Sequence, residues 1–563
     1  MALPIRLRNR ILRLTISVFI INAYLSGAAE INDPRPNRDD QVHVDRATAK
    51  AARKTAAAQR RRIIFNDDSE PLARPEVLTP DSYLSVRQKP MLGTQVDTIY
   101  WSALAIWGDA PVYDSKVQPI FGKSAHGVAD ASGEPWHLYA PNTNRLIESG
   151  NCPLQFLIEF AHQHRMEIFA SIRMNDIHDS FVPNVQTIWK REHPEFLVKT
   201  DGKPPLHKVC VTAQDYNHPA VRERKFEIIA EICRRYDVDG IDLDFIRFPV
   251  LFSSVMQGNS ASEAEVQIMT SLLDRIRTLA DKMAVERGRP ILVSARVPDT
   301  LAQAKRVGLD VQEWLKKDLV DLLVIGGGYS PYSLNIDRIV QMAHRHDVLI
   351  YPCINHGPLR NIASHERLHV AARAVAMNWL QAGADGIYLW NLGTSFTHLK
   401  GNDYLQERVH NYAMLDDIGN MKSLRRRDKL YAVDGPVFAP YAHASTQSPL
   451  PLKLSAQTVH QVSLRLADNV QEHARTGRLQ SLELRLSLSG PVKQDSITIH
   501  LNDHRLTAGV LEVTENGQSP WKCSLTAPPL QQGENRLEFS LHGVEKSDVP
   551  VSLHRIHLAV DYK

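Results

Sequence analysis

Eight short apolar runs, each closed by a polar, Gly- or Pro-containing loop and followed by helical periodicity, constrain this chain more than any other feature. They are RRIIFNDD (61–68), VDTIYWSAL (96–104), MEIFASIRMND (166–176), VDGIDLDFIRFP (238–249), PILVSARVPD (290–299), VDLLVIGGGYS (320–330), VLIYPCINHG (348–357) and ADGIYLWNLG (384–393). Strands that are apolar almost throughout suit a parallel sheet covered on both faces. Between the runs, AVRERKFEIIAEICRRYD (220–237) places Phe226, Ile229, Ile232 and Cys233 on one helical face. The stretch 262–288 opens on Ser262 with Glu265 three residues later, a capping-box spacing, and stops at Gly288. Eight strand-then-helix units between residues 61 and 427 predict an α/β fold, a (β/α)8 TIM barrel with long inserted loops. An open doubly wound sheet is the competing architecture, and the missing G-x-G-x-x-G after the first run counts against it.

From about residue 428 the pattern changes. QVSLRLAD, SLELRLSLSG, DSITIHLND, GVLEVTENG, NRLEFSLHG and SLHRIHLAVDY alternate apolar and polar residues between turn formers. Alternation leaves one wet face per sheet, so residues 428–563 are expected to form an antiparallel β-sandwich accessory domain. It shows no nucleophile or metal motif.

The N-terminus looks like an address. Arg6, Arg8, Arg10 and Arg13 precede the uncharged Leu14–Ala29 stretch, which ends in the small residues Ser26, Gly27, Ala28 and Ala29. Sixteen residues are short of the roughly 20 that a membrane span needs, so residues 1–29 are expected to be a cleaved signal peptide and the mature protein secreted or periplasmic. No stable membrane insertion is expected after cleavage. Residues 30–60 are polar and are expected to form a linker, with a loose helix around Arg46–Arg60. Sixty-six basic against 63 acidic residues, a net +3, give no electrostatic footprint for nucleic acid. Five scattered cysteines without a C-x-x-C make no disulfide framework.

In a parallel barrel the chemistry sits where the strands end. Asp242 and Asp244 share one side of the fourth run, because side chains alternate with period two. Asp244 falls nearer the rim, Asp242 is expected to orient it from deeper in the barrel, and Asp242 and Arg247 are both counted among the substrate-binding residues. Glycoside cleavage needs two carboxyl groups, one protonated and one ionised. Asp299 and then Asp176 are the candidates for the partner of Asp244; Asp67 and Asp68 also end a run. Arg173, Asn175, His178, Asn355, His356 and Asn391 lie at run ends where they would hydrogen-bond sugar hydroxyls. Trp101, Trp107, Tyr329 and Trp390 lie near the same rim and would stack on sugar rings, while Tyr100 reads as core. The NDIHD and HRH clusters lack the i, i+4 spacing of a helical zinc site, and no cofactor or metal is expected.

DGIDLDFIRFP resembles the corresponding strand of the glycosyl hydrolase-like 10 group, secreted (β/α)8 proteins. FASIRMNDIHDSF (169–181), REHPEFLVK (191–199), GLDVQEWLKKDLVDLLVI (308–325) and ADGIYLWN (384–391) share the likeness. The resemblance implies an exported hydrolase acting on a polysaccharide or cell-envelope glycan, with the fourth-strand aspartate falling on Asp244. The same strand is similar to that of family 18 chitinases, but Ile246 stands where that family has its catalytic glutamate, which argues against its substrate-assisted mechanism. A non-catalytic glycan-binding protein on the same scaffold is the alternative, and an envelope scaffold a third.

Overall fold

The computed structural model describes residues 44–105, 109–123, 135–203, 205–206, 208–326, 334–355, 359, 368–390, 392, 411–433, 435, 443, 446, 448–511, 518–542 and 550–563. The leader and the candidates Trp107, Tyr329, His356 and Asn391 lie outside the described residues.

All eight runs form strands: β1 (Ile63–Asp67), β2 (Val96–Ser102), β3 (Glu167–Arg173), β4 (Gly240–Asp244), β5 (Leu292–Val297), β6 (Leu322–Ile325), β7 (Leu349–Asn355) and β8 (Ile387–Trp390). They are parallel and hydrogen-bonded in sequence order, with β8 closing on β1, so the sheet is a complete barrel. The near-continuous apolar character follows from two burials at once. One parity, including Ile63, Phe65, Ile99, Trp101, Ile241 and Leu243, packs into the core shared with the surrounding helices. The other, including Ile64, Tyr100, Phe169, Leu292, Val324, Tyr351, Tyr388 and Trp390, fills the bore. Each fully buried Leu, Ile or Phe contributes about 1.5–3 kcal/mol, which fixes the register of every strand. Gly240, the glycine of the DGIDLD motif, is required by this filling: a Cβ there would lie 2.1 Å from the Phe169 ring.

The stretch expected to be a linker ends in an ordered helix, α1 (Arg46–Ala57), capped by the Asp45 carboxylate, which accepts from Ala47 and Thr48 N–H. Its polar composition is misleading because its buried positions are few and specific. Arg53 is buried against Asp318 and Asp321, and Ala57 packs beside Ile64, Leu292 and Leu322 at the strand starts. The two long helices stand close to where periodicity places them. They are α2 (Pro219–Arg235) and α3 (Glu263–Arg287), the latter with both hydrogen bonds of the Ser262–Glu265 capping box and Gly288 at φ 72°. The fourth run leaves the sheet at Asp244. Beyond it Ile246, Phe248 and Val250 turn into a separate small core with Met256, a few residues on, and with Ile177, Val198, Cys210 and Ala213 of the insertion that follows β3.

The C-terminal region is two antiparallel sheets. Its strands are β9 (Lys429–Val433), β10 (Leu452–Leu454), β11 (Val459–Leu466), β12 (Leu479–Ser489), β13 (Ile497–Leu501), β14 (His504–Arg505), β15 (Val510–Leu511), β16 (Gln518–Ser524), β17 (Gly533–Leu541) and β18 (Val551–Tyr562). One sheet runs β10-β18-β12-β16-β15 with β9 also on β18, and the other runs β11-β17-β13-β14. Alternate residues of both, such as Val462, Leu484, Ile499, Phe539 and Leu558, share one core. β9, β10 and β16 were not apparent from alternation: β10 has three residues, and β16 carries Pro520 and Lys522 inside QSPWKCS. The sandwich meets the barrel at α4 (Leu368–Gln381), where Asn378 Nδ2 donates to the Arg465 carbonyl at 3.1 Å, and at the helix before β7, where Asp337 pairs with Arg465 at 3.0 Å. All five cysteines are free thiols. Among the described residues no helix is long and apolar enough to cross a membrane.

Candidate active site

Strand parity delivers the site. Asp242 and Asp244 both point into the bore, with Ser171 and Arg173 of β3 on one side and Ser294 and Arg296 of β5 on the other. Asp242 is the deeper. It accepts from the Ser171 hydroxyl at 2.7 Å and the Ser294 hydroxyl at 3.2 Å and is wholly buried. Burial, and then the charge of Asp244 above it, push its carboxyl up to about 7. Its polar partners are the two serines, a layer below the mouth, which corrects its assignment to substrate binding.

Asp244 ends β4 at the mouth. One oxygen accepts the Ile246 N–H at 3.1 Å, and the other lies 3.4 Å from the guanidinium of Arg296. Arg296 also reaches the Gly326 carbonyl (3.4 Å) and Cys353 Sγ (3.7 Å) and lies 4.5 Å from the centre of the Trp390 ring. Arg247 sits 4.5 Å from the same ring. Trp390 is therefore buried in the mouth with two cations on it, an arrangement that fixes an aromatic wall and both guanidiniums together. Arg247 reaches this place because Ile246 and Phe248, its flanking residues, are held in the small insertion core.

The partner of Arg247 is Asp68, at 3.4 Å, and Arg173 holds the other Asp68 oxygen at 3.1 Å. Burial alone would raise the Asp68 carboxyl, but Arg247, Arg173 and Arg296 outweigh it and hold the group well below the usual carboxylate range. Asp68 follows Ile64 and Asn66 on the inward parity of IIFNDD, the signal that singles it out over Asp67; Asp67 instead accepts from Gln88 at 2.5 Å. Arg296 is absent from the sequence candidates altogether. Its signal is a lone charge in LVSARV at the same parity as Ser294, facing two aspartates across the β4–β5 register.

The other candidates separate. Arg173 is central: besides Asp68 it donates to Asp176 at 3.0 Å and to the Ala105 carbonyl at 3.2 Å. Asp176 also lies 3.0 Å from His178 Nδ1 and accepts the His178 N–H. Against the upward push of burial, His178, Arg173 and Lys190 keep Asp176 well below the usual range, so it is an anchor for Arg173 and His178 and cannot supply a proton near neutrality. Asn175 is a brace, not a sugar contact. Its Nδ2 donates to the Gln214 and Val250 carbonyls at 3.1 and 2.8 Å, and its Oδ1 accepts from Gln214 N–H at 2.9 Å. Trp101 is likewise corrected: it lies on the outward parity of β2, fully buried, with Nε1 donating to the Tyr83 hydroxyl at 2.9 Å. Asp299 follows β5 and is buried, with one oxygen accepting the Thr446 N–H at 2.7 Å from the segment between β9 and β10. Ile246 is buried in the insertion core, outside the mouth.

The assembly thus offers a carboxyl paired with arginine at the rim, a carboxyl with raised affinity for its proton beneath it, and an aromatic wall. That combination suits stabilising a developing positive charge and moving a proton.

Solved structures match this chain at low similarity. One is the PgaB (BpsB) glycoside hydrolase domain of Bordetella bronchiseptica, at 11% identity and TM-score 0.39, covering 64% of this chain and 99% of that one. Another is the maltogenic α-amylase AmyB of Thermotoga neapolitana, at 12% identity and TM-score 0.33, covering 85% and 99%. A search of curated proteins returns no match. Residues 116–266, which hold β3, β4 and the DGIDLDFIRFP motif, match the family described as glycosyl hydrolase-like 10, and the resemblance read from that motif stands on this match.

Proposed function

We propose that the chain is an exported glycoside hydrolase that cleaves glycosidic bonds in a polysaccharide or cell-envelope glycan. The observation that carries the reading is the pair Asp242 and Asp244, stacked on the inward face of β4 with Arg296 paired to Asp244 at the barrel mouth. In this reading Asp244 is the carboxylate that faces the sugar, and Arg296 and Trp390 fix its position. Asp299, which follows β5, is the carboxyl proposed as its partner; Asp68 and Asp176 are both paired with arginines. The test is reducing-end release by the full-length mature protein across a panel of soluble glycans and isolated envelope polysaccharide. Product from any one supports the reading, and no product from any opposes it.

A non-catalytic glycan-binding protein is the second reading. It draws on the same network: Asp68 and Asp176 are both held ionised by cations, so neither is available as the protonated acid. Retention on immobilised glycan without product release would favour it.

A further inference from the structure

Two polar atoms in the bore stand apart from the networks above. Tyr388 is wholly buried on the inward face of β8, yet among the described residues its hydroxyl has no hydrogen-bond partner. Asn66, on the inward face of β1, donates through Nδ2 to the Tyr100 carbonyl at 3.3 Å, while its Oδ1 has no partner among the described residues. The two strands are adjacent, with Ile64 of β1 in register with Tyr388. β8 lies four strands from β4 in the ring, so this wall faces Asp242 and Asp244 across the bore. Tyr388 is within electrostatic reach of both aspartates, and its ring lies 5.4 Å from the Arg296 guanidinium and edge-on to Tyr100 at 5.6 Å.

Buried hydroxyls and carboxamide oxygens are rarely left dry, because the unpaired group loses its hydration without replacement. The charged groups across the bore follow that rule: Asp242 takes two serine hydroxyls, and Arg296 is filled by Asp244, Gly326 O and Cys353. A phenol and a carboxamide oxygen on one wall, opposite the carboxylates, offer a donor and two acceptors to a small polar group between them.

We propose that Tyr388 and Asn66 form a subsite for an O–H-bearing group on the β8–β1 wall of the bore, opposite Asp244. The group is a hydroxyl of the bound sugar or a water molecule used in its hydrolysis; the two share one hydrogen-bonding chemistry. The subsite extends the glycosidase reading above, and its test separates the two claims.

The variant is Tyr388→Phe in the full-length protein, which removes one oxygen and keeps the ring. A hydroxyl that is dry gives a variant with a higher unfolding midpoint, since an unpaired buried group has been deleted. A hydroxyl that serves the subsite gives an unchanged or lower midpoint and at least about a tenfold loss in kcat/KM on an oligosaccharide that the wild type cleaves. Loss carried by KM assigns the group to the sugar, and loss carried by kcat assigns it to water. A raised midpoint, or wild-type kinetics, overturns the proposal. Should the wild type cleave no glycan, the glycosidase reading falls. The subsite is then decided by the midpoint and by a crystal structure, in which an ordered oxygen beside Tyr388 Oη supports it and a dry hydroxyl overturns it.

Discussion

Replacing Asp242 with asparagine should make the protein more stable at neutral pH, although it deletes a charge from the centre of the motif. The folded protein lifts the Asp242 carboxyl from 3.8 to about 7, through burial and then the charge of Asp244. A group held protonated by the fold contributes stability that is complete below about pH 4 and is lost as pH rises toward about 7. Roughly three units at about 1.4 kcal/mol each put that loss on the order of 4 kcal/mol. Asp68 and Asp176 act in the opposite sense: their carboxyls are depressed, so their contribution is present above the ordinary carboxylate range and is lost only in acid. Other buried carboxyls, Asp67 and Asp179 among them, are also raised, and the comparison of variant with wild type isolates Asp242. Asparagine cannot ionise and can still meet the Ser171 and Ser294 hydroxyls, so Asp242→Asn should flatten the decline. Urea unfolding at half-unit steps from about pH 4.5 to about pH 8 reads this directly. The variant should match the wild type near the acid end and exceed it by a few kcal/mol, about 2–4, at the alkaline end. Parallel curves would refute the reasoning.

Two further expectations follow from single contacts. Arg296→Met should destabilise the protein by about 3–5 kcal/mol, because it leaves Asp244 buried beside no guanidinium of its own; adding Asp244→Asn should recover part of that loss in urea unfolding. Ser262→Ala should cost about 1 kcal/mol through the lost capping box of α3, seen as a lower urea midpoint with unchanged activity.

The barrel was legible because each strand is apolar on both parities, a pattern that few architectures other than a covered parallel sheet produce. The site was legible where a charge interrupts such a strand, as at Asp242 and Asp244. By the same rule Arg296 stood in plain view in LVSARV, and it was hidden only because an arginine in a strand suggests a surface edge as readily as a bore. Trp101 and Asn175 were misplaced for a different reason. Nearness to a strand end does not say which face a side chain takes, and one step of parity separates Tyr100 in the bore from Trp101 in the outer core. Asn175 turns toward Gln214 and Val250, contacts between segments 39 and 75 residues away that no local pattern encodes. The polar α1 was hidden similarly, since Arg53 is buried only because Asp318 and Asp321 arrive from a distant loop.

The central claim is that Asp244 is the carboxylate that acts on the sugar. The direct measurement is the turnover of Asp244→Asn against wild type on the glycan that the wild type cleaves best, with unfolding and glycan retention followed in parallel. Asparagine keeps the size and the Ile246 N–H contact and removes the charge. The rate should fall at least about a thousandfold, a barrier increase of roughly 4 kcal/mol, while the folded protein still binds the glycan. A folded Asp244→Asn protein with the specific activity of the wild type would contradict the account.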